Sequence, residues 1–87
     1  MKILLADDHS MIRQGLVLLL RQSYPNAEIT EKSNGDELRD ALQNSEKVFD
    51  IVVTDLFMPG PPVIEIIKHA RDNGKQGSHY YFEYVFA

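Results

Sequence analysis

One stretch limits the fold more than any other: Phe49-Asp50-Ile51-Val52-Val53-Thr54-Asp55-Leu56-Phe57-Met58-Pro59-Gly60. It opens as a short run of apolar, mostly β-branched residues, delivers a carboxylate at Asp55, and breaks at Pro59-Gly60. A short continuous apolar run bounded by turn residues suits a strand buried on both faces, as in a parallel sheet. Pro has no N–H for the ladder and Gly tolerates turn geometry, so the pair ends the strand. Asp55 then stands at the carboxyl end of a buried strand, where open α/β sheets place their ligands. By itself such an Asp serves equally well to satisfy turn amides.

A second run raises the chemical content of the first. Lys2-Ile3-Leu4-Leu5-Ala6 is another apolar strand, and it ends in Asp7-Asp8-His9. If the two strands are parallel neighbours, Asp7, Asp8 and Asp55 surround one crevice. Three carboxylates that close repel one another unless a cation lies between them. The chain has no Cys, and oxygen ligands favour a hard ion such as Mg²⁺.

Between and after these strands the pattern alternates. Strand 1 spans Lys2 to Ala6, and Ser10 is the expected N-cap of a helix running to Gln22, with Ile12, Leu16, Leu19 and Leu20 as its inward face. Tyr24-Pro25-Asn26 closes it. The polar segment from Ala27 to Glu31 reads as an edge strand, guarded by its charges. Asn34 and Glu37 form a capping box for a second helix over about 35–47, with Leu38, Ala41 and Leu42 inward. Pro61 and Pro62 fit the first turn of a third helix, where a missing N–H has no intrahelical partner. Val63, Ile66, Ile67 and Ala70 supply its apolar stripe, and Asp72-Asn73-Gly74 its stop. The order β-α-β-α-β-α implies a parallel sheet with right-handed crossovers. From Lys75 the character changes to an aromatic tail, and His79 to Ala87 is a possible fourth strand.

The totals exclude several classes. At 87 residues the chain is one domain at most. A net charge of −4 with scattered basic residues argues against direct nucleic-acid binding by this segment. Ile3 to Ala6 is too short for a signal peptide, and no apolar stretch can span a bilayer. His9, His69 and His79 share no ligand spacing and His9 has only neighbouring acids, so no transition-metal site is expected from them.

These elements resemble the receiver domain of bacterial two-component response regulators. The resemblance rests on Ile3-Leu4-Leu5-Ala6-Asp7-Asp8-His9-Ser10, Ile12-Arg13-Gln14-Gly15-Leu16, Ser33-Asn34-Gly35 and Asp50 through Gly60. The wording around Asp-Asp-His and Arg-Gln-Gly-Leu is most like regulators with a LuxR-type helix-turn-helix output domain. The resemblance covers residues 1–74 and leaves 75–87 as an atypical tail. It implies a flavodoxin-like (CheY-like) parallel sheet with flanking helices, here incomplete. It also implies that Asp55 accepts a phosphoryl group from a sensor histidine kinase, and that the chain is a cytoplasmic phosphoacceptor rather than an enzyme. Asp7, Asp8, Asp55 and the backbone carbonyl of Phe57 would hold Mg²⁺, with Asp8 binding directly and Asp7 largely through water.

The chain also departs from that family. Five βα units are usual, and here there are three plus the tail, as if a shifted reading frame or premature end had truncated the domain after helix 3. The Ser or Thr that ends strand 4 and the Lys that ends strand 5 are not found. Val63 occupies a position often held by Gly, and Pro61-Pro62 is unusual. An apolar strand 3 left at the sheet edge, or covered only by the tail, would promote self-association. A binding module without phosphotransfer is therefore a competing reading. An aspartate-nucleophile phosphohydrolase would need Asp-x-Asp on strand 1, which Asp7-Asp8 does not supply, and a dinucleotide site would need a Gly-rich loop there.

Overall fold

The computed structural model describes residues 1–44 and 48–72, together with the backbone of 81–85. Its elements follow the order β1 (Lys2–Ala6), α1 (Ser10–Ser23), β2 (Glu28–Lys32), α2 (Gly35–Gln43), β3 (Ile51–Asp55), α3 (Val63–Asp72) and β4 (Tyr81–Val85). The strands form one sheet in the order β2-β1-β3-β4, and every pairing is parallel. Ile3 lies opposite Ile51 and Ala6 opposite Thr54, so β1 and β3 end level with each other. The strand order reverses direction between β1 and β3, which is the topological switch point of such a sheet.

The pleat sorts alternate side chains to opposite faces. Leu4, Ala6 and Val52 face α2 and α3, and with Leu38, Ala41, Leu42, Phe49, Val63, Ile66, Ile67 and Ala70 they form one buried cluster. Leu56 and Met58 pack against its margin. The inward stripes expected for both helices are buried as read, and Val63 fills core volume where a Gly would leave a gap. Ile3, Leu5 and Val53 face the other way, where α1 lies over β1.

The first helix departs from expectation. None of its residues is buried. Ile12 and Leu19, expected inside, are exposed, while Leu16 and Leu20 are half-buried beside Arg13 and Val17. The helix is seated over β1, and among the described residues no second helix flanks it on that face. Its N-cap is His9 instead of Ser10, and no side chain caps it, because the His9 ring turns back to the acids before it.

Smaller corrections follow local hydrogen bonds. β2 starts one residue late because the Ala27 N–H closes a turn onto the Tyr24 carbonyl. It is an edge strand, as expected. α2 ends at Gln43, with the Asn44 N–H donating to the Asp40 carbonyl; residues 45–47 lie outside the described part. Asn34 accepts from the Glu37 N–H as a capping box requires, but the Glu37 carboxylate reaches back to the N–H and hydroxyl of Ser33. Those two bonds hold the Glu37 carboxyl below its ordinary range, the backbone bond most strongly. Pro62 precedes α3, and its carbonyl accepts from Glu65 and Ile66. β3 is covered along its outer side by β4, which belongs to the tail, the second of the two arrangements expected for it.

Candidate functional site

The site is assembled where β1 and β3 end. Asp7 and Asp55 are 1% and 2% exposed, whereas Asp8 and His9 open towards solvent. One ligating atom from each of Asp7, Asp8, His9 and Asp55 can be chosen so that all lie within 4.8 Å of one another. The structure thus brings together the three carboxylates that the sequence pointed to, and adds an imidazole that it did not.

Each buried carboxylate divides its two oxygens between different tasks. Asp7 Oδ1 accepts the His9 N–H at 2.8 Å, and Asp55 Oδ1 accepts the Phe57 N–H at 2.9 Å. These are turn-closing bonds in which an Asp side chain mimics a backbone carbonyl two residues on. The turn reading of a strand-end Asp is therefore correct for one oxygen of each. The other oxygens point elsewhere. Asp7 Oδ2 is buried without a hydrogen-bond partner, and Asp55 Oδ2 lies 3.8 Å from His9 Nδ1. An unpaired buried carboxylate oxygen is costly unless a cation or donor meets it. The donor set, three carboxylates with one orphaned oxygen, fits a divalent cation.

His9 Nδ1 also stands 3.0 Å from Asp7 Oδ1 and 3.1 Å from Asp8 Oδ1. The hydrogen bond to Asp7, and next the charge of Asp8, raise the imidazole pKa above its ordinary value. The available signal was an Asp two residues before a His, the spacing at which an Asx turn folds a side chain back onto the chain.

Other elements hold this geometry. The Arg13 guanidinium donates to the Asp7 carbonyl at 2.7 Å and to Glu31 Oε1 at 3.1 Å, joining the end of β1 to α1 and β2. The Asp7 N–H donates to the Lys32 carbonyl, which continues the ladder past the strand. The Thr54 hydroxyl is buried and donates to the Asp55 carbonyl at 2.9 Å. On the other side the Gly35 N–H donates to the Pro59 carbonyl at 2.8 Å. A Cβ on Gly35 would lie 2.7 Å from the Pro61 carbonyl oxygen, and Gly60 has a φ of 107°. The loop after Asp55 is thus keyed into the first turn of α2. Phe57 gives the site its backbone while its ring is exposed. The side chains of the segment searched for a switch Ser, Thr or Lys lie outside the described residues.

The family model for the response regulator receiver domain matches residues 3–79. This chain belongs to that family. Receiver domains are phosphoacceptors of two-component signalling that bind Mg²⁺ through acidic residues. They also interact with histidine kinases and dimerise. The receiver resembles curated transcription regulators: it is 35% identical over 74 residues to the transcriptional regulatory protein YdfI of Bacillus subtilis (82% of this chain, 32% of that protein). It is 31% identical over 75 residues to the nitrate/nitrite response regulator protein NarL of Escherichia coli K12 (86% and 34%). It spans about a third of the length of these relatives. Its fold matches the receiver domain of the hybrid histidine kinase CckA with a TM-score of 0.75 at 23% identity, covering 98% of this chain and 83% of that one. It also matches RcsB from Salmonella enterica serovar Typhimurium, solved bound to a promoter with a phosphomimetic, with a TM-score of 0.76 at 20% identity (99% and 47%). Among the described residues no helix is long and apolar enough to cross a membrane.

Proposed function

We propose that Asp55 is the phosphoacceptor of this receiver, that Asp7, Asp8 and Asp55 hold Mg²⁺ with the Phe57 carbonyl, and that a sensor histidine kinase supplies the phosphoryl group. The observation that carries this reading is the division of labour within the buried carboxylates. Asp55 Oδ1 is fixed by the Phe57 N–H, which leaves Oδ2 as the attacking oxygen. Asp7 Oδ2, buried and unpaired, is the oxygen that a cation would satisfy. In the transfer the P–N bond to the donor's histidine breaks, a P–O bond to Asp55 forms, and the imidazole leaves with the electron pair and takes up a proton. The bound ion supplies neutralisation of the equatorial oxygens. The chain's own part is to orient the Asp55 carboxylate and exclude water from its inner side. The product is an acyl phosphate on the chain itself, so the protein acts as a cytoplasmic acceptor and not as an enzyme with a separate substrate. In the longer protein it would feed transcription regulation through a DNA-binding domain elsewhere.

The test is intact-mass spectrometry after incubation with acetyl phosphate, with Mg²⁺, with chelator, and with Asp55→Asn. One Mg²⁺-dependent adduct that the substitution abolishes is expected. An adduct surviving in Asp55→Asn overturns the acceptor assignment. A second reading, a switch-defective fragment that only binds or pairs with other chains, is favoured by the exposed apolar residues of α1. No adduct on a chain that melts cooperatively by circular dichroism would favour it.

A further inference from the structure

We propose that His9 is a nitrogen ligand of the acid pocket, tilting it from Mg²⁺ towards first-row divalent ions such as Mn²⁺ and Zn²⁺. The inference rests on the reading of Asp7, Asp8 and Asp55 as a cation site and adds a donor to it.

In a coordination shell with bonds of about 2.0–2.1 Å, neighbouring ligand atoms are about 2.9 Å apart if octahedral and about 3.3 Å if tetrahedral. His9 Nδ1 lies 3.0 Å from Asp7 Oδ1 and 3.1 Å from Asp8 Oδ1. Those are the edge lengths of such a shell. At 3.8 Å, Asp55 Oδ2 closes the same group with a slightly longer edge. Nδ1 therefore lies where a ligand shared with Asp8 and Asp55 would sit, provided that its hydrogen bond to Asp7 Oδ1 gives way to the ion.

A second observation points to a cation within that group. Asp7 is almost wholly buried, yet its Oδ2 has no hydrogen-bond partner. The ring hydrogen bond to Asp7 ends on Oδ1, so it leaves the orphaned oxygen unsatisfied. An ion in place of the ring proton would lie between Nδ1 and the Asp7 carboxylate, whose Oδ2 is otherwise unmet. The ring is also held in place before any ion arrives. The His9 N–H is tied to Asp7 Oδ1, and the His9 carbonyl accepts the first backbone bond of α1, from Arg13.

Ligand chemistry then sets the preference. Mg²⁺ takes oxygen ligands and keeps much of its water. Imidazole favours the later first-row ions, whose affinities for nitrogen and oxygen donors rise from Mn²⁺ to Cu²⁺, with Zn²⁺ well above Mn²⁺. Three carboxylates and one imidazole form a mixed set that the later ions accept better than Mg²⁺ does.

The experiment is calorimetric titration of the untagged chain with MgCl₂, MnCl₂ and ZnCl₂, in wild type, His9→Ala and His9→Gln. Circular dichroism melts establish that the variants fold. Long-range ¹H–¹⁵N spectra of the imidazoles with and without ZnCl₂, assigned by the signals that His9→Gln removes, report the ring directly. We expect Zn²⁺ affinity to fall by at least the roughly tenfold that losing even an outer-shell partner costs. Mn²⁺ should fall less, Mg²⁺ should be unchanged or tighter, and His9 Nδ1 should shift on Zn²⁺ addition. Equal affinities in wild type and both variants, or a tightening of all three ions, would show the ring to be a bystander or a competitor and overturn the proposal, while the Mg²⁺ reading stands. No divalent ion binding to wild type would overturn both.

Discussion

The two faces of the sheet are built from similar residues and end in different states. On one face α2 and α3 lie side by side, and Leu38, Leu42, Val63 and Ile67 are sealed from water. On the other, α1 is richer in leucine than either, yet Leu18 and Leu19 are 66% and 60% exposed. Hydrophobic periodicity decides which side chains share a stripe. It does not decide whether a second element arrives to cover that stripe. A pair of helices shields each other's flanks; a single helix over β1 shields only the strand beneath it.

The two faces should differ in what a substitution costs. Leu38→Ala removes a fully buried side chain from a packed cluster and should cost about 2–5 kcal/mol, measured as a fall in urea midpoint. Gly35→Ala comes next. Its Cβ would meet the Pro61 carbonyl at 2.7 Å, so backbone must shift; about 1–3 kcal/mol is expected, as for overpacking elsewhere. The greater helix propensity of Ala, about 1 kcal/mol, offsets only part of it. A stabilised Gly35→Ala would show that the loop and α2 are not keyed together.

A smaller effect follows pH. The Glu37 carboxyl is held below its ordinary range by hydrogen bonds from the Ser33 N–H and hydroxyl. A depressed folded-state pKa contributes stability that is present above the unfolded value and lost as pH falls through the folded one. Urea midpoints of wild type and Glu37→Gln should therefore diverge most above that range and converge in acid. A constant gap would mean that the bond from Ser33 does not depend on charge. The smallest change is expected on the open face: Leu19→Ala should stay within about 0.5 kcal/mol, as exposed substitutions do. A loss there as large as that of Leu38→Ala would mean that α1 is covered in solution, by a second copy or by another part of a longer protein.

The same asymmetry explains what the sequence made legible. β1, β3 and the stripes of α2 and α3 could be read because their burial follows from local pattern and strand pairing. Asp7, Asp8 and Asp55 could be grouped because parallel neighbours that end level bring their termini together. The fate of α1 depended on tertiary neighbours, which no period encodes. His9 was passed over because the histidines share no ligand spacing and the acids beside it were given no weight. Its real companions are the acids immediately before it, reached through a turn that Asp7 closes.

The placement of β1 between β2 and β3 has a consequence for the order in which the molecule is made. β1 and its first partner, β2, emerge from the ribosome close together. The second edge of β1, and with it Asp55, waits for the chain from Lys32 to Ile51, which takes about one to four seconds at about 5–20 residues per second. During that interval the other flank of β1, and the acids that follow it, have no β3 to pair with. The acid pocket is therefore completed late, by the closing of a parallel pairing and not by a hairpin. A pause or a slow codon between α2 and β3 would lengthen the time for which that apolar edge of β1 stays open to a stray strand.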